Sequence, residues 1–190
     1  MLTAQDMGYK VPSKESAADI IGLGLHEAVR SLFPSLENHD VERFSKQYSH
    51  NFRSYDQTPS QLFPKVREVL VWLRKSGYII SVATGKSRAG LNRVLSALNM
   101  TDIFDGSRCA DETISKPDPL MLQQLLDQFE LTAEEALMVG DTEFDLDMAQ
   151  RAGIPSIGVS YGAHRKDRLL QYNPVAIIDE FIEIKSYILQ

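Results

Sequence analysis

The sequence predicts an α/β protein: a parallel, Rossmann-like sheet preceded by a small all-helical segment. Three observations carry that expectation. Residues 1–60 show helical spacing and no strand-like run, whereas residues 61–190 alternate short apolar runs with amphipathic stretches. Between them lies Tyr55–Pro64, whose two prolines mark a linker or hinge. Strands alternating with helices imply a parallel sheet covered on both faces. Ligands of such sheets bind beyond the carboxyl ends of the strands.

The elements follow in order. Ser13–Ile21 and Leu25–Phe33 read as short amphipathic helices joined through Gly22-Leu23-Gly24, with Pro34 ending the second, and Val41–Phe52 reads as a third. After the linker, Val66, Val69, Leu70 and Leu73 repeat at helical spacing and Gly77 stops that helix. The run Tyr78–Ala83 is apolar and β-branched, the pattern of a strand buried on both faces. A helix at Ser87–Leu98, a weaker strand at Gly106–Ala110 and a helix at Pro119–Phe129 come next. Strand Ala136–Val139, helix Glu143–Ala152, strands Ile154–Val159 and Val175–Ile178, and a terminal helix Phe181–Ile188 complete the pattern.

Composition narrows the function classes. With 20 Lys and Arg against 26 Asp and Glu, the net charge of −6 disfavours non-specific binding to nucleic acid or to anionic membranes. A single cysteine, Cys109, excludes an intrachain disulfide and reads as a packed thiol. No apolar run is long enough to span a membrane and the first residues lack a leader pattern, so a soluble cytoplasmic protein is expected. The oligomeric state is left open.

Three strand ends bear chemistry. The first runs into Thr84-Gly85-Lys86-Ser87, where a hydroxyl and backbone N–H groups at a helix start can receive an anion. The same residues also make an ordinary strand-to-helix turn. They are not a nucleotide-binding P-loop, because Ile80 stands where its first glycine is required. The second group is Lys116 in SKPDP, where Pro117 and Pro119 rigidify the chain around it and make it a point charge suited to phosphate. The third is Gly140-Asp141-Thr142-Glu143-Phe144-Asp145. Its acids, four residues apart, can share a face of the first helical turn, and two converging carboxylates call for a cation such as Mg²⁺. Asp147 is expected only to complement the helix dipole.

The ordered set VATGKS, SKPDP and VGDTEFDLDMAQRAGIPSIGVSYG resembles the haloacid dehalogenase superfamily of hydrolases, in particular its phosphoglycolate phosphatase-like members with a helical cap. The resemblance runs over nearly the whole chain. It implies that Thr84, with Gly85 and Lys86, binds phosphate, that Lys116 neutralises phosphate charge, and that Asp141 and Asp145 hold Mg²⁺ directly or through water. Thr84, Lys116 and Asp141 would form the catalytic set, and residues 1–60 the cap, whose Gly22, Leu23, Gly24 and Arg30 would meet the substrate. The implied function is Mg²⁺-dependent hydrolysis of a small phosphorylated metabolite, with phosphoglycolate the leading substrate. Dehalogenation is disfavoured, since halide loss needs no Mg²⁺-binding acids.

The resemblance breaks at the N-terminus. The family opens with a strand ending in Asp-x-Asp-Gly-Thr, whose first aspartate attacks phosphorus and whose second acts as acid and base. Nothing in Met1–Pro12 matches it, and Asp6 is assigned no catalytic role. The family's first, central strand, between those leading to Thr84 and Asp141, is therefore expected to be missing, through a late start of the recorded chain. This truncated chain is expected to be inactive or impaired. A non-catalytic phosphate- or partner-binding protein is the alternative. A response-regulator receiver is excluded because its acids precede its Thr and Lys. A dinucleotide-binding domain fails because Glu27 stands where Gly22-Leu23-Gly24 needs a third glycine.

Overall fold

The structure, a computed structural model, describes residues 2–55 and 59–188, so positions 56–58 of the expected linker lie outside the described residues. The N-terminal part is helical: α1 (Leu2–Asp6), α2 (Lys14–Asp19), α3 (Leu25–Leu32) and α4 (Asn38–Tyr55). Ser13 starts α2 by accepting a hydrogen bond from Ser16 N. These helices pack around Ala4, Val29, Val41 and Phe44, with the Tyr9, Phe33 and Phe44 rings tilted against one another. Asp6 belongs to this packing, since its carboxylate accepts from Asn51 Nδ2 at 3.1 Å.

The second part follows the expected alternation: α5 (Val66–Lys75), β1 (Ser81–Thr84), α6 (Arg88–Ala97), β2 (Gly106–Cys109), α7 (Leu120–Phe129), β3 (Met138–Gly140), α8 (Glu143–Ala152), β4 (Ser156–Val159), α9 (Lys166–Leu169), β5 (Ala176–Ile178) and α10 (Lys185–Ile188). All pairings are parallel. β1 pairs with β2, and β3, β4 and β5 pair in that order, so the described strands form two sheets. One apolar cluster on a common face joins them. It contains Val69, Leu70 and Leu73 of α5, Ile80 before β1, Ile157 and Val159 of β4, and Ile178 of β5. A second cluster, with Met121, Leu122, Met148 and Ala149 of α7 and α8, includes Ala83 of β1 and Met138 of β3. Both sheets are thus covered by common layers.

The strand at Tyr78–Ala83 is shorter and wetter than expected. Pairing begins only at Ser81, and Tyr78 and Ile79 are 39% and 48% exposed. Tyr78 instead closes the end of α5, its N–H donating to Leu73 O. β4, flanked by β3 and β5, is buried at every residue, whereas β1, paired on one side, is half-buried throughout. The expected terminal helix is divided into a 3-10 turn, Phe181–Ile184, and α10. Among the described residues no helix is long and apolar enough to cross a membrane.

Candidate functional site

β1 delivers Thr84 to the carboxyl end of its sheet. There Thr84 Oγ1 accepts from Lys86 N at 3.1 Å, and Ser87 caps α6 by accepting from Gly90 N at 3.2 Å. Lys86 and Ser87 are exposed, while Thr84 and Gly85 are half-buried.

Lys116 is buried and its Nζ lies 2.5 Å from Asp145 Oδ1. This pair ties the segment after β2 to the first turn of α8, bridging the two sheets. The other Asp145 oxygen, Oδ2, accepts from Thr142 N at 3.0 Å and from Thr142 Oγ1 at 2.7 Å, while Thr142 caps α8 in return. Asp145 was expected to serve as a cation ligand beside Asp141, yet both its oxygens are engaged by protein donors.

Asp141 has different surroundings. It precedes α8, is half-buried, and is held by the loop after β4. Its carbonyl accepts from His164 N at 3.0 Å and its Oδ2 from Ala163 N at 2.9 Å. Its Oδ1 meets no donor among the described residues. The loop is itself fixed to α8, because His164 Nδ1 accepts from Glu143 N at 3.1 Å, which leaves the imidazole proton on Nε2. Burial, and then the charge of Arg168, hold the His164 pKa below its ordinary value. Burial and the nearby Asp141 carboxylate raise Tyr161, in the same loop, to about 12.

Among the described residues no three His, Cys, Asp or Glu side chains are placed to hold a metal together. The carboxylate oxygen left open here among the described residues, Asp141 Oδ1, is compatible in chemistry with an ion such as Mg²⁺ that keeps several waters and takes one or two carboxylates. Asp147, expected only to complement the helix dipole, forms a two-pronged pair with Arg151 at 2.8 Å on each branch.

The helical part reaches into this site through Gly22–Gly24. Gly22 adopts φ +108° and lies against Thr142, where an added Cβ would come within 2.7 Å of Oγ1. The Gly22 and Leu23 carbonyl oxygens cover Gly85, and a Cβ there would meet them at 2.7 and 2.5 Å. Gly24 N donates to the buried Ser115 Oγ at 2.7 Å. On the outside, Arg168 binds Glu143 through two nitrogens and reaches Asp19 of α2 at 2.5 Å. One loop thus touches the segments after β1, β2 and β3, and so gathers Thr84–Gly85, Ser115–Lys116 and Asp141–Thr142 around one space. Arg30 stays on the exposed side of α3.

Ser115, Thr142 and His164 were not singled out from sequence. Thr142 was legible, since Thr142 and Asp145 have capping-box spacing. Ser115 and His164 act through contacts distant in the chain, which leave no local pattern.

The model of the haloacid dehalogenase-like hydrolases matches residues 1–159. The probable phosphatase IndB of Dickeya dadantii is 33% identical over 184 residues, which cover 95% of this chain and 80% of that protein. The phosphoglycolate phosphatase of Aliivibrio fischeri is 30% identical over 191 residues, covering 95% and 83%. The crystal structure of a predicted phosphoglycolate phosphatase from Haemophilus somnus superposes with a TM-score of 0.85 at 25% identity, covering all of this chain and 88% of that one.

Proposed function

The chain belongs to the haloacid dehalogenase-like hydrolases, and from that premise we propose that its site binds a small phosphate monoester with Mg²⁺ for hydrolysis. The buried Lys116–Asp145 pair carries this reading. An ammonium group kept out of water at the carboxyl ends of the strands, beside a half-buried carboxylate with a free oxygen, is the arrangement a phosphate and its cation require.

Each residue then has a task. Thr84 Oγ1 and the backbone N–H groups of the Gly85 turn receive phosphate oxygens at the start of α6. Lys116 offsets phosphate charge, and Asp145 aims its ammonium group. Asp141 holds the Mg²⁺, which when bound neutralises the phosphate oxygens. Thr142 fixes Asp145, and the His164 loop fixes Asp141. Residues 1–60 act as a cap, excluding water where Gly22–Gly24 seat on the core. Relatives acting on phosphoglycolate make it the first ester to assay.

The 190 residues contain no Asp-x-Asp-Gly-Thr segment to supply a nucleophile. We therefore propose that turnover by this chain alone is impaired, since removing one member of a catalytic unit abolishes most of its effect. The same observation favours a second reading, a phosphate-binding protein without turnover. The two are separated on p-nitrophenyl phosphate and phosphoglycolate, by comparing this chain with one extended at its N-terminus by a strand ending in Asp-x-Asp-Gly-Thr. Mg²⁺-dependent turnover by the extended chain and background from this one is expected. Equal rates refute the nucleophile argument, and no turnover by the extended chain favours the binding protein.

A further inference from the structure

His164 has two ring nitrogens, and the core uses only one of them. Its Nδ1 accepts from Glu143 N at 3.1 Å, and its backbone N donates to Asp141 O at 3.0 Å, so the residue is rooted beside α8. The Phe144 ring meets the imidazole edge-on at 5.6 Å and holds its plane. The ring proton is therefore carried outward on Nε2. That nitrogen is buried and makes no hydrogen bond of full geometry among the described residues. A buried N–H without an acceptor is costly.

The backbone group that interacts with this imidazole belongs to Ala18, in α2 of the helical part. Independent contacts bring the same stretch there: Asp19, the next residue, pairs with Arg168 at 2.5 Å, and Arg168 also binds Glu143. Ala18 O accepts from Ile21 N at 3.1 Å, closing the turn that leaves α2 and enters Gly22–Gly24. A carbonyl has two lone pairs, so it can take the imidazole N–H as well. Whatever places this carbonyl also places the loop that lies over Gly85 and against Thr142.

Resting on the reading of residues 1–60 as a cap, we infer that His164 is a positioning residue for that cap. Its Nδ1 fastens the loop after β4 to α8, while its Nε2–H receives the Ala18 carbonyl and so sets Gly22–Gly24 on the core. Ser115 holds the same loop from the segment after β2. Two buried ties from separate core segments fix the loop's orientation as well as its position, which the exposed Arg168–Asp19 pair cannot do alone.

Two variants separate the tasks of the ring. Asparagine puts an acceptor near the place of Nδ1 and is too short to reach Ala18. Glutamine puts an N–H near the place of Nε2 and leaves Glu143 N without an acceptor. Amide hydrogen exchange on the 190-residue chain reads both ties without turnover. His164→Asn is expected to speed exchange at Leu23 and Gly24 about fivefold, leaving Ala163, whose N–H is held by Asp141, unchanged. His164→Gln is expected to do the reverse, speeding Ala163 and keeping Leu23 and Gly24 slow. Unchanged Leu23 and Gly24 in His164→Asn, or equal loosening by both variants, overturns the inference, because a ring that only fills space does not distinguish its nitrogens. Titration of the unmodified chain with inorganic phosphate in Mg²⁺ tests the phosphate site separately. Absence of binding there removes that reading, and the exchange result still decides whether His164 seats the loop.

Discussion

Asp141 and Asp145 stand four residues apart and play different physical parts. Spacing alone suggested a shared helical face, but that rule holds only inside a helix, and Asp141 lies before the first turn of α8. Asp145 folds back on Thr142 and grips Lys116 in a nearly dry position. Asp145→Ala leaves a buried ammonium unpaired, and a loss of about 3–5 kcal/mol is expected on chemical unfolding. Asp141→Asn, by contrast, is expected to shift stability by less than about 0.5 kcal/mol while weakening Mg²⁺ binding. The opposite ranking of the two variants would show that the roles are misassigned. Cys109 was read from sequence as a packed thiol, and it is fully buried, with burial raising its pKa from 9.0 to about 11. The sign follows from the raised value: the buried neutral thiol contributes stability in full below pH 9.0, and this is lost as pH rises toward 11. Cys109→Ala is expected to remove that part of the alkaline fall, and thiolate absorbance should appear in the folded protein only near the upper end of the window. Ready titration near pH 9 would contradict the burial argument.

At the scale of elements, the readings that succeeded rest on local chemistry. Helix α8 runs from Glu143 to Ala152 as expected, because Thr142 caps its start and Gly153, at φ +73°, ends it. Where β1 begins was not legible, since Tyr78 and Ile79 have strand-like side chains but no pairing partner; pairing is a property of two segments. The cap seat was invisible for the same reason, as Gly24 and Ser115 are 91 residues apart. That hydrogen bond is buried, so Ser115→Ala strands the Gly24 N–H. A penalty of about 1–3 kcal/mol against the seated loop is expected, read as roughly tenfold or faster hydrogen exchange at Gly24. Arg168→Ala cuts the outer tie, where Asp19 is 61% exposed, and its effect on the same amide should be smaller. A larger effect from Arg168→Ala would place the principal tie at the surface.

At the scale of the molecule, alternating strands and helices made the α/β class legible, while a break between the strands leading to Thr84 and Asp141 was expected only through the family resemblance and from no run of residues itself. Two sheets that do not pair with each other are nonetheless joined through one apolar cluster, in which Ile80, just before β1, lies with Ile157 and Val159 of β4. The helical part keeps a separate core around Val41 and Phe44, and touches the α/β part through the Gly22–Gly24 seat, the Arg168–Asp19 pair and Arg93 over the Phe52 ring. These facts predict two different responses to truncation. Ile157→Ala removes a fully buried side chain from the shared cluster, and a loss of about 2–5 kcal/mol should speed exchange in β1 as well as in β3–β5. Phe44→Ala costs about 3–5 kcal/mol in its own core, and the faster exchange should stay within residues 2–55. Residue-resolved exchange on both variants decides the matter. If Phe44→Ala loosens β4 as much as α4, the cap and core unfold as one unit, and the seat rather than the cores governs the stability of the whole.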